Sequence, residues 1–193
     1  ETGIKYAPSF LDGYINLALF DLEQTNSLVS TGSGQQTQAG EVTSQGIELE
    51  GSVQATEALR LTAAYTYTDA KTNDTGNGDR QASLIPRHQA SFWGNYKVQQ
   101  GPVSGLEVGT GVRYIGSSVG IGAVNADYTP IYGSAQVPAQ TVWDAMIGYD
   151  FAKNWRAQVN VNNLLNDTYV ASCDYYCYYG EPRSIVGSVN YRW

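Results

Sequence analysis

The chain of 193 residues is long enough for one domain, and its formal net charge of −7, with 11 Lys and Arg scattered along it, argues against nucleic acid as a partner. It holds no run of about 18 apolar residues, which excludes a membrane-spanning helix. With 15 Tyr and 21 Gly against one Met, two Cys and one His, the composition favours many short strands over helices, and a mean hydropathy of −0.31 decides nothing, because a membrane strand shows lipid only alternate residues.

In chain order, the sequence predicts amphipathic strands of period two. The first two are expected near Thr2 to Ala7 and Gly13 to Leu22; the second is apolar on both faces, so its phase is open. Ile47, Leu49, Gly51 and Val53 then oppose Glu48, Glu50, Ser52 and Gln54. Leu59, Leu61, Ala63, Tyr65 and Tyr67 oppose Arg60, Thr62, Ala64, Thr66 and Thr68. Ala90, Phe92, Gly94, Tyr96 and Val98 oppose Gln89, Ser91, Trp93, Asn95 and Lys97, and Leu106, Val108, Thr110, Val112 and Tyr114 oppose Glu107, Gly109, Gly111 and Arg113. Trp143, Ala145, Ile147, Tyr149 and Phe151 oppose Asp144, Met146, Gly148 and Asp150. Trp155, Ala157, Val159 and Val161 alternate with Arg156, Gln158, Asn160 and Asn162, and Ile185, Gly187, Val189, Tyr191 and Trp193 end the chain on one face.

Short turns near Ser9 to Asp12, Ala55 to Ala58, Gln99 to Gly105 and Ala152 to Asn154 alternate with long polar connections over Glu23 to Gly40, Asp69 to Pro86, Gly116 to Ala139 and Asn163 to Pro182. Short turns on one rim and long loops on the other fit an antiparallel transmembrane β-barrel of an outer membrane, with the short turns periplasmic. A soluble β-sandwich or barrel also alternates. Against it stand the aromatics at strand ends, which suit interfacial girdles, and the charges on the opposite face, which a packed core would not tolerate unpaired. Nine strands is odd, whereas closure of a single bacterial chain needs an even count. Either the chain is a fragment of a larger barrel or the count is off at the ambiguous first two strands, and a start at Glu1 without Met or export signal is read as processed or truncated.

Cys173 and Cys177 lie in the last long loop, within the run Ala171 to Pro182. An oxidising compartment favours a local disulfide; the alternative, a metal site, has too few ligands, since the sole histidine is His88. Tyr175, Tyr176, Tyr178 and Tyr179 flank the pair, and rigid aromatics on a stapled loop suit a binding surface, although a self-packed cluster that merely orders the loop explains them equally. No catalytic constellation is recognisable: His88 has no nucleophile placed with it, and the glycines of Gly32 to Gly34 and Gly116 to Gly122 lack the context of a phosphate loop. The chain is read as not an enzyme.

Several motifs taken together carry a family resemblance. They are Glu1-Thr2-Gly3-Ile4-Lys5-Tyr6, Ala18 to Leu22, Gly40-Glu41-Val42 with Ser44 to Glu50, Ala64 to Ala70, Ile85-Pro86-Arg87-His88, Gly111 to Gly116, Val161 to Asn166 with Tyr169, and Gly180 to Arg183 with Tyr191-Arg192-Trp193. In this order and spacing the sequence resembles the TonB-dependent outer-membrane siderophore receptors, of the ferric hydroxamate (ferrichrome and ferrioxamine) type, over essentially all its length.

The resemblance implies a roughly 22-stranded barrel around an N-terminal plug. Residues 1–193 would be the C-terminal portion of that barrel, its last nine strands, with the plug absent from the chain. It also implies a receptor and active transporter of ferric siderophores, driven through a TonB complex that engages the missing N-terminal part. Tyr175, Tyr176, Tyr178 and Tyr179 would contact the siderophore, beside a Cys173–Cys177 pair. No cofactor and no iron ligand are expected from the protein, because the chelator already saturates the metal. Trp193 resembles the terminal aromatic by which the barrel-assembly machinery recognises its clients, and outer-membrane lipid would surround the wall. The alternative from another class is a passive porin-like channel lined by the inward charges.

Overall fold

The computed structural model describes residues 1–30, 36–73, 79–126, 130–174 and 176–193. Nine strands form one antiparallel sheet in simple up-and-down order: β1 (Thr2–Tyr6), β2 (Gly13–Ser30), β3 (Gln36–Gln54), β4 (Leu59–Asn73), β6 (His88–Lys97), β7 (Leu106–Ile115), β10 (Gln140–Ala152), β11 (Trp155–Asn162) and β14 (Ser184–Tyr191). A two-residue strand, β5 (Arg80–Gln81), adds to β4, and two separate hairpins, β8–β9 (Ser118–Val124 and Pro130–Val137) and β12–β13 (Val170–Asp174 and Tyr176–Tyr179), rise from the long connections. The nine wall strands are those the alternation predicts. The structure also settles the phase of β2: Leu17 pairs with Leu49 and Leu19 with Ile47, so these residues share the apolar face and Asn16 takes the polar one beside Glu50.

The long connections are more ordered than their polar composition suggests. Within the connection expected over Glu23 to Gly40, the described residues are strand: β2 and β3 stay paired up to Ser30↔Gln36, with register shifts around Ser27 where Asn26 adopts a left-handed φ of 59°. These strands hold 18 and 19 residues, well beyond the ~10 that cross a bilayer, so their upper halves stand in water on both faces. There the period-two pattern fades from the sequence although the strands continue. Asp69 to Pro86 likewise keeps β4 extended to Asn73 and adds β5, while Gly116 to Ala139 and Asn163 to Pro182 each fold into a hairpin.

The sheet has no core of its own, because its apolar face is covered by lipid rather than by protein. Ile15, Leu17, Ile47, Leu49, Phe92, Val108, Ile147, Val159, Ile185 and Val189 are all exposed on it. Aromatics bracket this band. Tyr6, Tyr96, Tyr149, Phe151, Trp155 and Tyr191 mark the short-turn end, where the Trp155 ring lies 4.9 Å from that of Tyr191 and 6.2 Å from that of Phe151. Tyr65, Tyr114 and Trp143 mark the other end, and His88 joins them: its Nδ1 is 2.9 Å from the Tyr65 hydroxyl and its ring 5.2 Å from that of Tyr67. Such amphipathic rings sit where hydrocarbon meets water. The buried apolar residues among those described, Ala70, Ala82, Ile121, Val137, Val142 and Cys173, all lie toward the long-loop end.

Candidate functional site

On the inner face, small residues give large flat groups a floor to lie on. β7 presents Glu107, Gly109, Gly111 and Arg113 inward, and the Trp93 indole lies so close across Gly111 that a Cβ there would overlap it. Trp93 Nε1 donates to Asn95 Oδ1 at 2.7 Å. Near the short-turn rim, Arg156 on β11 reaches Glu107 at 2.7 Å and Asp150 at 3.2 Å, and Lys97 on β6 reaches Asp150 at 2.8 Å. Gln158 accepts from Arg156 and donates to Asn160 at 2.9 Å. This network crosses four strands and lines an open cavity of about 760 Å³ with Lys153, Asn190 and Arg192. Its side chains are partly hydrated, so each ion pair contributes little to stability; together they give a polar, water-accepting lumen wall.

Higher on the same face, a polar clasp holds the base of the last long connection. Asp144 on β10 accepts from Arg113 through both oxygens, from Nε at 2.6 Å and Nη2 at 3.0 Å, and Oδ1 also accepts the backbone N–H of Asn163 at 3.0 Å. Asn163 is only 2 % exposed and takes a left-handed φ of 51°, which Asn tolerates better than most residues. Its side-chain amide donates to the carbonyls of Asp167 at 2.8 Å and Glu181 at 3.0 Å, and its Oδ1 accepts from Asp167 N–H at 2.9 Å. One buried side chain therefore ties both ends of the connection to each other, and its backbone ties them to the wall. In the sequence, Asn163 falls in a motif that gives it no role. Its partners lie 4 to 19 residues away, and only the fold brings them together.

Above the clasp stands the hairpin β12–β13. Cys173 and Cys177 face each other across it and form a disulfide, with Cys173 buried and Cys177 exposed. Tyr176, Tyr178 and Tyr179 lie on β13 at 74 %, 61 % and 74 % exposure, displayed to solvent and not packed into a cluster of their own. Tyr175 lies outside the described residues. Trp193, just past the end of β14, is fully exposed. Three rigid, uncovered phenol rings on a covalently closed hairpin form a surface that gains contact area at little cost in side-chain entropy. No group of three or more His, Cys, Asp or Glu among the described residues is arranged to hold a metal ion.

This architecture matches known proteins closely. Residues 1–164 match the family described as TonB dependent receptor-like, beta-barrel. The chain is 36 % identical over its whole length to the ferrichrome outer membrane transporter/phage receptor of Escherichia coli, and 36 % identical over 99 % of its length to the ferrioxamine B receptor of Salmonella typhimurium. It superposes on the crystal structure of the ferric-catecholate import receptor Fiu of Escherichia coli, closed form, with a TM-score of 0.76 at 28 % identity, covering 98 % of this chain and 26 % of that one. It spans only about a quarter of the length of these relatives. The chain belongs to the TonB-dependent receptor family and forms part of the outer-membrane β-barrel of such a receptor.

Proposed function

We propose that these nine strands are the C-terminal barrel portion of a receptor that takes up ferric siderophores, of the hydroxamate type, by TonB-dependent active transport. The disulfide-closed hairpin with three uncovered tyrosines carries this reading, in a chain whose relatives are named for ferrichrome and ferrioxamine. A ferric hydroxamate complex offers a compact, partly apolar shell around a metal whose coordination is already full. Aromatic faces suit such a ligand, and no protein group has to replace a chelating oxygen. Tyr176, Tyr178 and Tyr179 touch the ligand from outside, and the hydrated wall below them leaves a path that water and a polar chelate tolerate. The energy for transport enters through TonB and the part of the receptor that precedes these strands. Trp193 serves recognition by the barrel-assembly machinery.

A passive porin-like channel would share the polar lumen, yet it has no use for a stapled tyrosine hairpin, and membership of the TonB-dependent family weighs against it. Equilibrium binding of ferrichrome and of ferrioxamine B to the full-length receptor, followed by tryptophan fluorescence, tests the reading. Alanine at Tyr176, Tyr178 or Tyr179 is expected to weaken binding by about 1 kcal/mol or more, as loss of an aromatic contact does. Unchanged affinity in all three variants removes the hairpin from the site.

A further inference from the structure

We propose that Gly120 is a positioning residue for siderophore recognition: the absence of a side chain there lets the tyrosine hairpin β12–β13 seat on the neighbouring hairpin β8–β9. The proposal rests on the reading of the tyrosines above. Gly120 is buried on β8, opposite Ala135 of β9, and β12 packs against both of these strands. A Cβ at this position would overlap the Cys173 carbonyl oxygen and stand 2.9 Å from the Cys173 carbonyl carbon. Both are backbone atoms of a hairpin closed by its own disulfide, so they cannot swing aside as a side-chain tip would; the hairpin has to move as a body.

The junction is closed from a second side. Leu84 Cδ2 lies 3.4 Å from the same Cβ position, and Leu84 N–H donates to the Val119 carbonyl at 2.7 Å, from a residue in the left-handed region at φ 64°. Three long connections, from β4–β6, β7–β10 and β11–β14, therefore meet at one residue. The outcome is visible in the disulfide: Cys173 is 4 % exposed where β12 meets β8, while Cys177 and the three tyrosines face solvent on β13. The connection 116–139 thus acts as a bracket that fixes the height and tilt at which the tyrosines meet a ligand.

The test uses the full-length receptor in detergent, on protein that keeps the heat-modifiable gel shift of a folded barrel. Gly120→Ala is expected to speed reduction of the Cys173–Cys177 disulfide by a small thiol, because Cys173 leaves its seat. It is also expected to weaken ferrichrome or ferrioxamine B binding about fivefold or more, as overpacking at a tight contact does. Gly187→Ala, at a position with nothing within 4 Å of a Cβ, changes neither. In a background with alanine at Tyr176, Tyr178 and Tyr179, Gly120→Ala adds no further loss of affinity; an additive loss would mean general disturbance and overturn the positioning role. An unchanged reduction rate in Gly120→Ala overturns the seating. Should that variant not assemble, Leu84→Ala loosens the same junction without adding an atom and is expected to speed reduction likewise; if it does not, the seating also falls. If the triple tyrosine variant binds as tightly as the parent, the tyrosine reading fails separately, and the reduction rate still decides the seat.

Discussion

Asp144→Ala removes a carboxylate that joins two strands, β10 and β7, to the last long connection. Its loss leaves the Asn163 N–H, on a residue 2 % exposed, without its acceptor at 3.0 Å. An unsatisfied buried donor costs about 1–3 kcal/mol. It also strips Arg113 of a bidentate partner, but that side chain is 47 % exposed and rehydrates, so this part adds only about 0–1 kcal/mol. The sum is about 2 kcal/mol, felt where the clasp acts and not across the wall, whose strands are held by their own ladders. Amide hydrogen exchange of the full-length receptor, read by mass spectrometry, resolves this: peptides covering 163–183 are expected to exchange about 30-fold faster, while peptides from β6 and β7 stay as they are. Asp144→Asn keeps an acceptor for Asn163 and is expected to fall between. Unchanged exchange over 163–183 in Asp144→Ala would refute the clasp, and acceleration spread evenly over the barrel would refute its local character.

Gly111→Val places a branched side chain where the Trp93 indole lies, so the ring is expected to leave the floor of β7 and its fluorescence to shift to the red; an unmoved spectrum would contradict that packing. Deleting Trp193, which no neighbour covers, is expected to lower assembly into the outer membrane in pulse-chase experiments while leaving siderophore affinity intact in the receptor that does assemble. Normal assembly would remove Trp193 as a recognition element. Glu107→Gln breaks an ion pair at 2.7 Å whose side chains are about one-fifth exposed; solvent screens the pair, so the thermal midpoint should move little, and a large drop would mean that water is excluded from the lumen network.

The wall was legible in the sequence because lipid on one side and water on the other force period two, as in Leu106 to Tyr114, where every second residue faces hydrocarbon. The odd strand count pointed to an incomplete barrel, and the motifs that carried the family resemblance run along the whole chain, many of them in strands or at their ends. The ribbon above Leu22 was not legible, because both of its faces meet water and a strand there needs no alternation. The disulfide and the tyrosines could be named from their spacing, but not the way they face. That depends on Gly120, which is 53 residues before Cys173 and carries no signal beyond being a glycine in a loop. Asn163 escaped for a related reason: a polar residue whose side chain caps backbone at both ends of the connection, at Asp167 and Glu181, looks, in one dimension, like any loop asparagine.

The central claim is that these strands serve a TonB-driven siderophore receptor. It is tested most directly by uptake of radiolabelled iron, supplied as ferrichrome or ferrioxamine B, into cells whose other siderophore receptors are deleted and which express the full-length protein, with and without TonB. Saturable uptake is expected that needs both the receptor and TonB and falls when Tyr176, Tyr178 and Tyr179 are alanine. Uptake that persists without TonB and rises linearly with ligand concentration would contradict it and mark the barrel as a passive channel.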